Sequence, residues 1–410
     1  MRPVAAPVTQ ASGPEQLPPA IRGLGWTSFL TDLSSEAIYP LLPGFVRGLG
    51  GSSIEIGLID GVANAVAALV RLPAGSISDA IGRRPLVLSG YGLSALVRPL
   101  MAFVTAPWGV VLVRMADRFG KGIRSAPRDA LVADLVEPAV RGRAFGHIRA
   151  MDHAGAALGP LVALLFLLAF PGRERPLFAL TLLPGLVTLA VIWRNVRDPA
   201  RRTPADARTA LLPGLSRPQA LLLASVAVWS LGAASEHFLL MRAADLGAPP
   251  ATVPLVWFCM SLAKSGAATA VGRLLHRLNP RRVLAAGWLV FAAAYAGLAA
   301  TDQLWLALPL LLVVGIAYGL AEPAERALVA ALAPEGRQGG AFGWYALVQG
   351  LLSLPAGLLA GWLWQQGPTG PATAFATTAA LAGAASGLLW LTRGWSRAGQ
   401  PVRVATMAPH

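Results

Sequence analysis

Two carboxylic acids stand four residues apart in an apolar stretch near the start of the chain, in the sequence TDLSSEAI. In a helix this spacing places Asp32 and Glu36 on one face. Two close carboxylates disfavour double ionisation, so one of them is expected to load and release a proton near neutral pH. The pair therefore predicts a proton carrier. The alternatives are that a buried arginine neutralises both acids, or that Asp32 caps a broken turn.

Other ionisable residues also interrupt apolar stretches, where a charge costs roughly 2.5–3.5 kcal/mol at the centre of a membrane span. Glu236 stands beside His237, which could relay a proton or neutralise the acid. Arg114 stays charged. It can favour proton release from a nearby carboxylate, or form a static ion pair with Asp32 or Asp152. The predicted proton-coupling or substrate-binding residues are Asp32, Glu36, Arg114, Asp152, Glu236, His237 and Lys264.

A patch of ionisable residues lies near the start of the fifth apolar segment. Arg149 and Asp152 have the i,i+3 spacing of an ion pair on one helix face. His147 and His153 belong to a metal-binding residue type, but metal ligands must converge and the chain offers only this one dense patch. We therefore predict a gate or proton relay at Asp152, with no metal site and no cofactor.

The composition of the chain indicates the class of protein in which these residues lie. Of 410 residues, 55% are hydrophobic and 13% are charged, whereas a soluble domain has about 25% charged residues. This excludes an ordinary soluble enzyme and a disordered chain. The net charge of +14 does not indicate nucleic-acid binding, because the basic residues lie between apolar runs. No phosphate-binding G-x-x-x-x-G-K-[ST] run occurs, so ATP is not expected to drive the protein.

Twelve apolar segments can each cross a bilayer, which requires about 20 residues. In a bilayer such segments must be helical, because every backbone polar group needs an internal partner. The segments are predicted at 24–46, 54–78, 85–105, 107–132, 142–169, 176–194, 219–242, 251–275, 282–300, 303–331, 340–366 and 371–393. The fold class is therefore an all-α membrane protein with twelve transmembrane helices.

The distribution of arginine predicts the topology. One set of connections is rich in arginine, whereas the other holds only Arg47, Arg173, Arg175 and Arg242. The rich side is expected to be cytoplasmic, with both termini on it. The predicted organisation is a tail over 1–20, a six-helix bundle over 21–194, a cytoplasmic linker over 195–218, a second six-helix bundle over 219–393 and a tail over 394–410.

The two halves share short repeats in a common register. Ser35-Glu36 recurs as Ser235-Glu236, and the sequence AFG recurs at 144–146 and 341–343. Duplicated halves imply two pseudo-symmetric bundles with a site between them near the midplane. Acidic and basic residues also end the fourth and tenth segments, which predicts a cytoplasmic charge network between the halves, or solvated helix ends. The network would contain Arg128, Asp129, Glu322, Glu325 and Arg326.

Two further motifs connect the chain to a known family. The loop after the second segment reads GSISDAIGRRP over 75–85, and the fifth segment contains Gly155, Gly159 and Pro160 as G-x-x-x-G-P. The chain thereby resembles the major facilitator superfamily, whose loop motif is G-x-x-x-D-R-x-G-R-R. Ala80 replaces the usual arginine. The matching loop residues are Gly75, Asp79, Gly82, Arg83 and Arg84.

The resemblance implies a function for each motif. The loop residues are expected to form a cytoplasmic latch, with lipid anchoring as the alternative for Arg83 and Arg84. The G-x-x-x-G-P motif is associated with proton-coupled exporters. The alternative is that the glycines serve only the close packing of helices.

We therefore predict a secondary active transporter rather than an enzyme. It would move a small molecule, amphipathic or cationic, across a bacterial inner membrane by alternating access and proton-coupled efflux. A monomer is expected, with the substrate, protons and the lipid bilayer as partners. Two alternatives stay open: proton symport or uniport of a metabolite, and a polytopic membrane enzyme acting on lipid.

Overall fold

The computed structural model describes residues 17–197, 215–233, 235–275, 277–333 and 338–391. Within these ranges every regular element is helical. Most of the predicted tails and linker, at 1–16, 198–214 and 392–410, lie outside the described residues. The described chain contains twelve long helical segments, six before and six after residues 198–214.

The N-terminal half contains α1 to α6, three of which change helix type or break partway. The helices are α1 (Pro19–Ile38, a 3₁₀ turn Tyr39–Leu41, then Leu42–Gly48), α2 (Ser53–Ile81), α3 (Arg83–Val97, then 3₁₀ Arg98–Phe103), α4 (Pro107–Leu135), α5 (Pro138–Ala169) and α6 (Glu174–Leu180 with Leu182–Asn195). The break in α1 follows from Pro40 and Pro43, whose nitrogens carry no hydrogen to donate.

The C-terminal half contains α7 to α12. They are α7 (Arg217–Gly232 with His237–Asp245), α8 (Val253–Leu274 after a 3₁₀ turn Pro250–Thr252), α9 (Pro280–Ala300), α10 (Leu304–Leu332), α11 (Gln338–Trp364) and α12 (Gly370–Leu391). The interruption in α7 lies close to the position that corresponds, in the repeat, to the break in α1. Irregular backbone at membrane depth is tolerated where it lines a cavity or is buried in protein.

Each of the twelve predicted segments coincides with one of these helices, with ends displaced by a few residues. Ten of the spans are long and apolar enough to cross a membrane by length and composition. The other two, α1 and α4, are equally long but more polar, since α4 contains eight charged residues and α1 contains Asp32 and Glu36 near its middle. The fifth helix begins at Pro138 rather than at 142, because proline favours the first helical position. His147, Arg149 and Asp152 therefore lie several residues inside it.

The two halves approach most closely where α2 packs on α11. A Cβ atom added at Gly57 would collide with the carbonyl oxygen of Gly357, and the reverse also holds. One turn on, the Ser353 hydroxyl donates to the carbonyl oxygen of Gly61 at 3.2 Å. These small residues let two backbones touch across the interface, as in other membrane helix pairs.

The ends of the helices define two faces of the molecule. The terminal face carries the first and last described residues, Leu17 and Leu391, and the opposite face carries the end of α1 at Gly48. On the opposite face the halves are joined by a two-pronged ion pair, in which Arg47 Nη1 lies 2.6 Å from Asp245 Oδ1 and Nη2 lies 3.2 Å from Oδ2.

Candidate functional site

A cavity of about 500 Å³ lies between the two halves. Its lining reaches toward the terminal face, where Lys121, Arg149 and His153 are exposed. Toward the opposite face it is bounded by Tyr39 and Trp257. The charged lining residues are Asp32, Glu36, Asp60, Arg118, Lys121, Arg124, Arg128, Arg149, Asp152, Glu236, Lys264 and Glu322. Such a cavity can hold a small polar or charged molecule.

Asp60 on α2 is the centre of the hydrogen bonds at the closed end of the cavity. Its Oδ2 accepts from the Tyr39 hydroxyl at 2.7 Å and from the Ser235 hydroxyl at 2.6 Å. His237 Nδ1 lies 3.0 Å from the same oxygen. Tyr39 and Asp60 belong to the N-terminal half, whereas Ser235 and His237 belong to the C-terminal half. Asp60 therefore joins the two halves through a single carboxylate.

Behind Asp60, a row of alternating charges runs through the N-terminal half. Arg114 Nη2 donates to Asp60 Oδ1 at 3.3 Å, and its Nη1 lies 3.8 Å from Asp117 Oδ2. Arg98 Nε donates to Asp117 Oδ1 at 2.9 Å, and its Nη1 donates to the Ser34 hydroxyl at 2.6 Å. All of these groups are buried. Paired and hydrogen-bonded charges of this kind are tolerated at membrane depth because each compensates its neighbour.

Stacked aromatic rings close the same end of the cavity. Tyr39 stacks on His237 with ring centroids 4.1 Å apart, and it contacts Trp257 at 4.8 Å. The Trp257 Nε1–H donates to Glu36 Oε2 at 2.8 Å. Trp257 lies on α8 and Glu36 on α1, so this hydrogen bond also crosses between the halves.

The structure brings most of the predicted site residues to one place. Asp32, Glu36, Asp152, Glu236 and Lys264 line the cavity. Glu236 lies in the interrupted segment of α7, immediately before its second part. The predicted Arg149–Asp152 ion pair is confirmed, with Nη1 and Oδ2 3.7 Å apart.

Arg114 and His237 lie behind the lining, with 4% and 0% of their surfaces exposed. The suggested pairing of Arg114 with Asp32 or Asp152 is wrong, because its carboxylate partners are Asp60 and Asp117. The rotation of α4 turns the guanidinium toward α2 rather than toward the cavity. Arg114 therefore holds the carboxylate of Asp60 through an ion pair.

Sequence reasoning missed Asp60 and did not select Asp117. The signal was available, because Asp60 interrupts the apolar run IGLIDGVANAV of α2 and an ionisable residue inside a span indicates a functional site. Asp117 stands in a charged run in which no single residue is conspicuous. Its three-residue spacing from Arg114 could have indicated the ion pair.

The family-like motifs occupy packing and loop positions. Arg83 Nε donates to Asp134 Oδ2 at 2.6 Å, which ties the loop to the end of α4. Gly82 has φ of +100°, a conformation that side chains disfavour. Gly75 lies in the last turns of α2, and the side chain of Asp79 lies outside the described residues. Arg84 Nη2 donates to the carbonyl oxygen of Trp193 at 3.0 Å. Each described contact stays within the N-terminal half.

The glycines of α5 permit close packing on α1. A Cβ at Gly155 would collide with the carbonyl oxygen of Phe29, and one at Gly159 would lie 2.7 Å from that of Leu33. Pro160 is buried in the same helix. The motif thus sets the distance between α5 and the helix that carries Asp32 and Glu36.

The predicted charge network separates into local pairs in the described part of the chain. Arg128 Nη2 lies 3.1 Å from Asp129, and Arg326 Nη2 lies 2.9 Å from Glu322. Glu325 is buried with 2% of its surface exposed, and it accepts from Gln349 Nε2 at 3.5 Å. The described ion pairs of these residues lie within one half, which is consistent with a cavity that opens on the terminal face.

Comparison with known proteins agrees with this architecture. The sequence profile of the Major Facilitator Superfamily matches residues 24–242 and 237–406. The chain belongs to that superfamily. It is therefore a multi-pass membrane transporter of small molecules rather than an enzyme.

Individual relatives share most of the chain. It is 30% identical over 352 residues to the uncharacterised MFS-type transporter MJ1317 of Methanocaldococcus jannaschii, covering 84% of this chain and 88% of the relative. It is 25% identical over 360 residues to the multidrug resistance protein MdtH of Salmonella paratyphi B, covering 83% and 85%.

Solved structures share the fold at low identity. A bacterial homologue of the human lysosomal transporter Spinster, in an inward-facing and occupied conformation, superposes with a TM-score of 0.74 at 16% identity, over 90% of this chain and 95% of that one. The nucleoside transporter NupG superposes with a TM-score of 0.75 at 16% identity, over 91% and 99%.

Proposed function

We propose that the protein is a proton-coupled exporter that moves a small molecule by alternating access. The observation that carries this proposal is the position of Asp32 and Glu236, one from each half, in the lining of a single cavity between the halves. An acid that both halves can reach is able to exchange a proton for a cargo when the halves rock. Because both halves of the site come from one chain, the protein would act as a monomer.

Alternating access is supported by the contrast between the two ends of the cavity. The opposite face is held shut by the Arg47–Asp245 pair and by the contacts around Asp60. The terminal face leaves Lys121 and Arg149 exposed. By the arginine distribution, the terminal face is cytoplasmic in a bacterial inner membrane, so the described state would be open to the cytoplasm. Rocking the two bundles would break the first set of contacts and close the cavity on the other side.

Proton coupling is supported by the surroundings of the acids. Glu36 accepts a hydrogen bond from Trp257, and Asp32 and Asp152, on the adjacent helices α1 and α5, line the same cavity. These carboxyl groups keep oxygen atoms that can take up a proton from the cavity. A cargo with a donor group would compete with protons for them, which is the requirement for antiport. Export is supported by the G-x-x-x-G-P sequence of α5 and by the similarity to MdtH, whose name denotes multidrug resistance.

The proposal is tested in proteoliposomes with an imposed pH gradient and a pH-sensitive dye. A panel of drugs and metabolites is added, and each cargo should collapse the gradient in the wild type. The double variant Asp32→Asn with Glu236→Gln should lose this response by at least about tenfold. The matched control is Glu137→Gln, which removes an exposed acid outside the cavity. Transport that ignores the gradient, or full coupling in the double variant, would reject proton exchange, and uptake driven by the gradient would favour symport.

A further inference from the structure

Most charged groups in the cavity already have partners. Arg124 Nη1 donates to the Ser94 hydroxyl at 2.6 Å, and its guanidinium lies over the Tyr91 ring. Arg128 pairs with Asp129, and Arg149 with Asp152. Glu322 pairs with Arg326. These residues shape the cavity but have little capacity left for a charged ligand.

Two cations on α4 differ from this pattern. Arg118 and Lys121 are three residues apart, so they share one helix face, and both line the cavity. Among the described residues neither side chain has a hydrogen-bond or ion-pair partner, and the Arg118 Nε atom is buried without one. The rest of the Arg118 side chain is partly exposed and Lys121 is exposed, so an anion that enters the cavity can reach both charges. The geometry therefore leaves a place for an anionic group beside these two residues.

Two acids of the same cavity are likewise unpaired. In the described part of the chain, the side chains of Asp32 and Glu236 have no hydrogen-bond or ion-pair partner. Asp32 lies within the electrostatic field of Lys121 but beyond the reach of an ion pair. Lys264 Nζ lies over the Tyr318 ring, 4.8 Å from its centroid. Glu236 lies in the electrostatic field of Lys264. Among the described residues, Arg118 and Lys121 thus face the same space as Asp32 and Glu236 without a direct ion pair between the two sets.

From this arrangement we infer that the cargo is a zwitterion. Its anionic group, such as a carboxylate, binds Arg118 and Lys121, and its cationic group binds the acids Asp32 and Glu236. The inference rests on the proposed function, because a cargo that exchanges for protons must carry a group that competes with them at the acids. It narrows the expectation of an amphipathic or cationic cargo, because Arg118 and Lys121 would repel a cation that carries no anionic group.

Aromatic side chains supply the apolar part of the same space. Tyr39, Trp257 and Tyr318 line the cavity together with Met260. Aromatic rings favour stacked or edge contacts with a planar ligand. An indole series with one ring system and three charge states is therefore a suitable set of probes: tryptamine as cation, indolepropionate as anion and free L-tryptophan as zwitterion.

The test measures equilibrium binding of these three probes to purified protein at neutral pH, by thermal unfolding in detergent. L-tryptophan should bind most tightly and tryptamine most weakly. In the double variant Arg118→Gln with Lys121→Gln, the affinity for both carboxylate probes should fall at least about tenfold, as expected for lost charge-assisted hydrogen bonds. Arg128→Gln is the matched control, because that side chain lines the same cavity but is already paired. It should leave the order of the probes unchanged.

Three outcomes would overturn the inference: tryptamine binding as tightly as L-tryptophan, no binding of either carboxylate probe, or an unchanged preference in the double variant. If the double variant does not fold, Lys121→Gln alone gives the decision, because that side chain is exposed and its loss should still weaken the carboxylate probes. No pH gradient is present in this assay. A charge preference without gradient-driven flux would therefore reject the proposed function alone, whereas coupled flux of purely cationic compounds would reject the zwitterion alone.

Discussion

The charged side chains at the two ends of the central cavity differ in their partners. At the closed end, Asp60 is in contact with Tyr39 and Arg114 of its own half and with Ser235 and His237 of the other half. At the open end, Arg118 and Lys121 are without such partners in the described structure. Satisfied charges hold a conformation, and unsatisfied charges recruit a ligand. One polar interior can thus combine a fixed contact between the halves with the proposed binding site.

The largest effect should come from removing the charge at the closed end. Asp60→Asn leaves Arg114 beside Asp117 alone and weakens the acceptor for Tyr39 and Ser235. Breaking one partner of a buried ion pair costs about 3–5 kcal/mol. We expect a loss of that order in the free energy of unfolding, measured by titration with a denaturing detergent. Asp60→Glu keeps the charge and should recover part of it.

If Asp60→Asn unfolds like the wild type, the carboxylate does not hold the halves together. The closed and open ends of the cavity would then differ only in how far solvent reaches them. A variant that is less stable yet transports at the normal rate would separate the structural contribution of Asp60 from any contribution to the rocking motion.

A smaller effect is expected from disturbing the close backbone contact between α2 and α11. Gly57→Ala places a methyl group against the backbone of Gly357, which cannot move aside as a side chain would. Overpacking of this kind costs about 1–3 kcal/mol. The matched control is Gly383→Ala on α12, where the added atom meets nothing within 4 Å. Gly57→Ala should lower both the thermal unfolding temperature and the transport rate. The control should change neither.

Equal tolerance of the two alanines would mean that α2 and α11 are spaced more widely than the structure shows. In that case the close approach of glycines would not be what keeps the opposite face shut. Loss of transport with unchanged stability would instead show that the contact between Gly57 and Gly357 is needed for the conformational change and not for folding.

The smallest effect should come from the ion pair at the opposite surface. Arg47 and Asp245 have side chains 36% and 30% exposed, so solvent and salt screen their attraction. Arg47→Gln should reduce the free energy of unfolding by no more than about 1 kcal/mol. The difference from wild type should shrink as salt is raised. A loss comparable with that of Asp60→Asn would show that the surface pair, rather than the buried carboxylate, closes this end.

Much of the architecture was readable from the residues themselves. Hydrophobic stretches of sufficient length fixed the positions of the helices to within a few residues, because a span must satisfy its backbone internally and each stretch does so alone. The repeated Ser35-Glu36 and Ser235-Glu236 predict two related halves, and both glutamates line one cavity. The i,i+3 pair of Arg149 and Asp152 followed from helical spacing, which is also a local property.

The choice of partners was decided only by the tertiary structure. Asp60 meets Ser235 across 175 positions of sequence, and Trp257 reaches Glu36 across 221. These contacts depend on how each helix is rotated about its axis and where α1 and α7 break, and neither is contained in the local pattern of apolar residues. The same rotations turned Arg114 away from Asp32 and left Arg118 and Lys121 without an ion-pair partner among the residues that the structure describes. Sequence therefore determined which charges enter the membrane, and packing determined which of them remain available to a cargo.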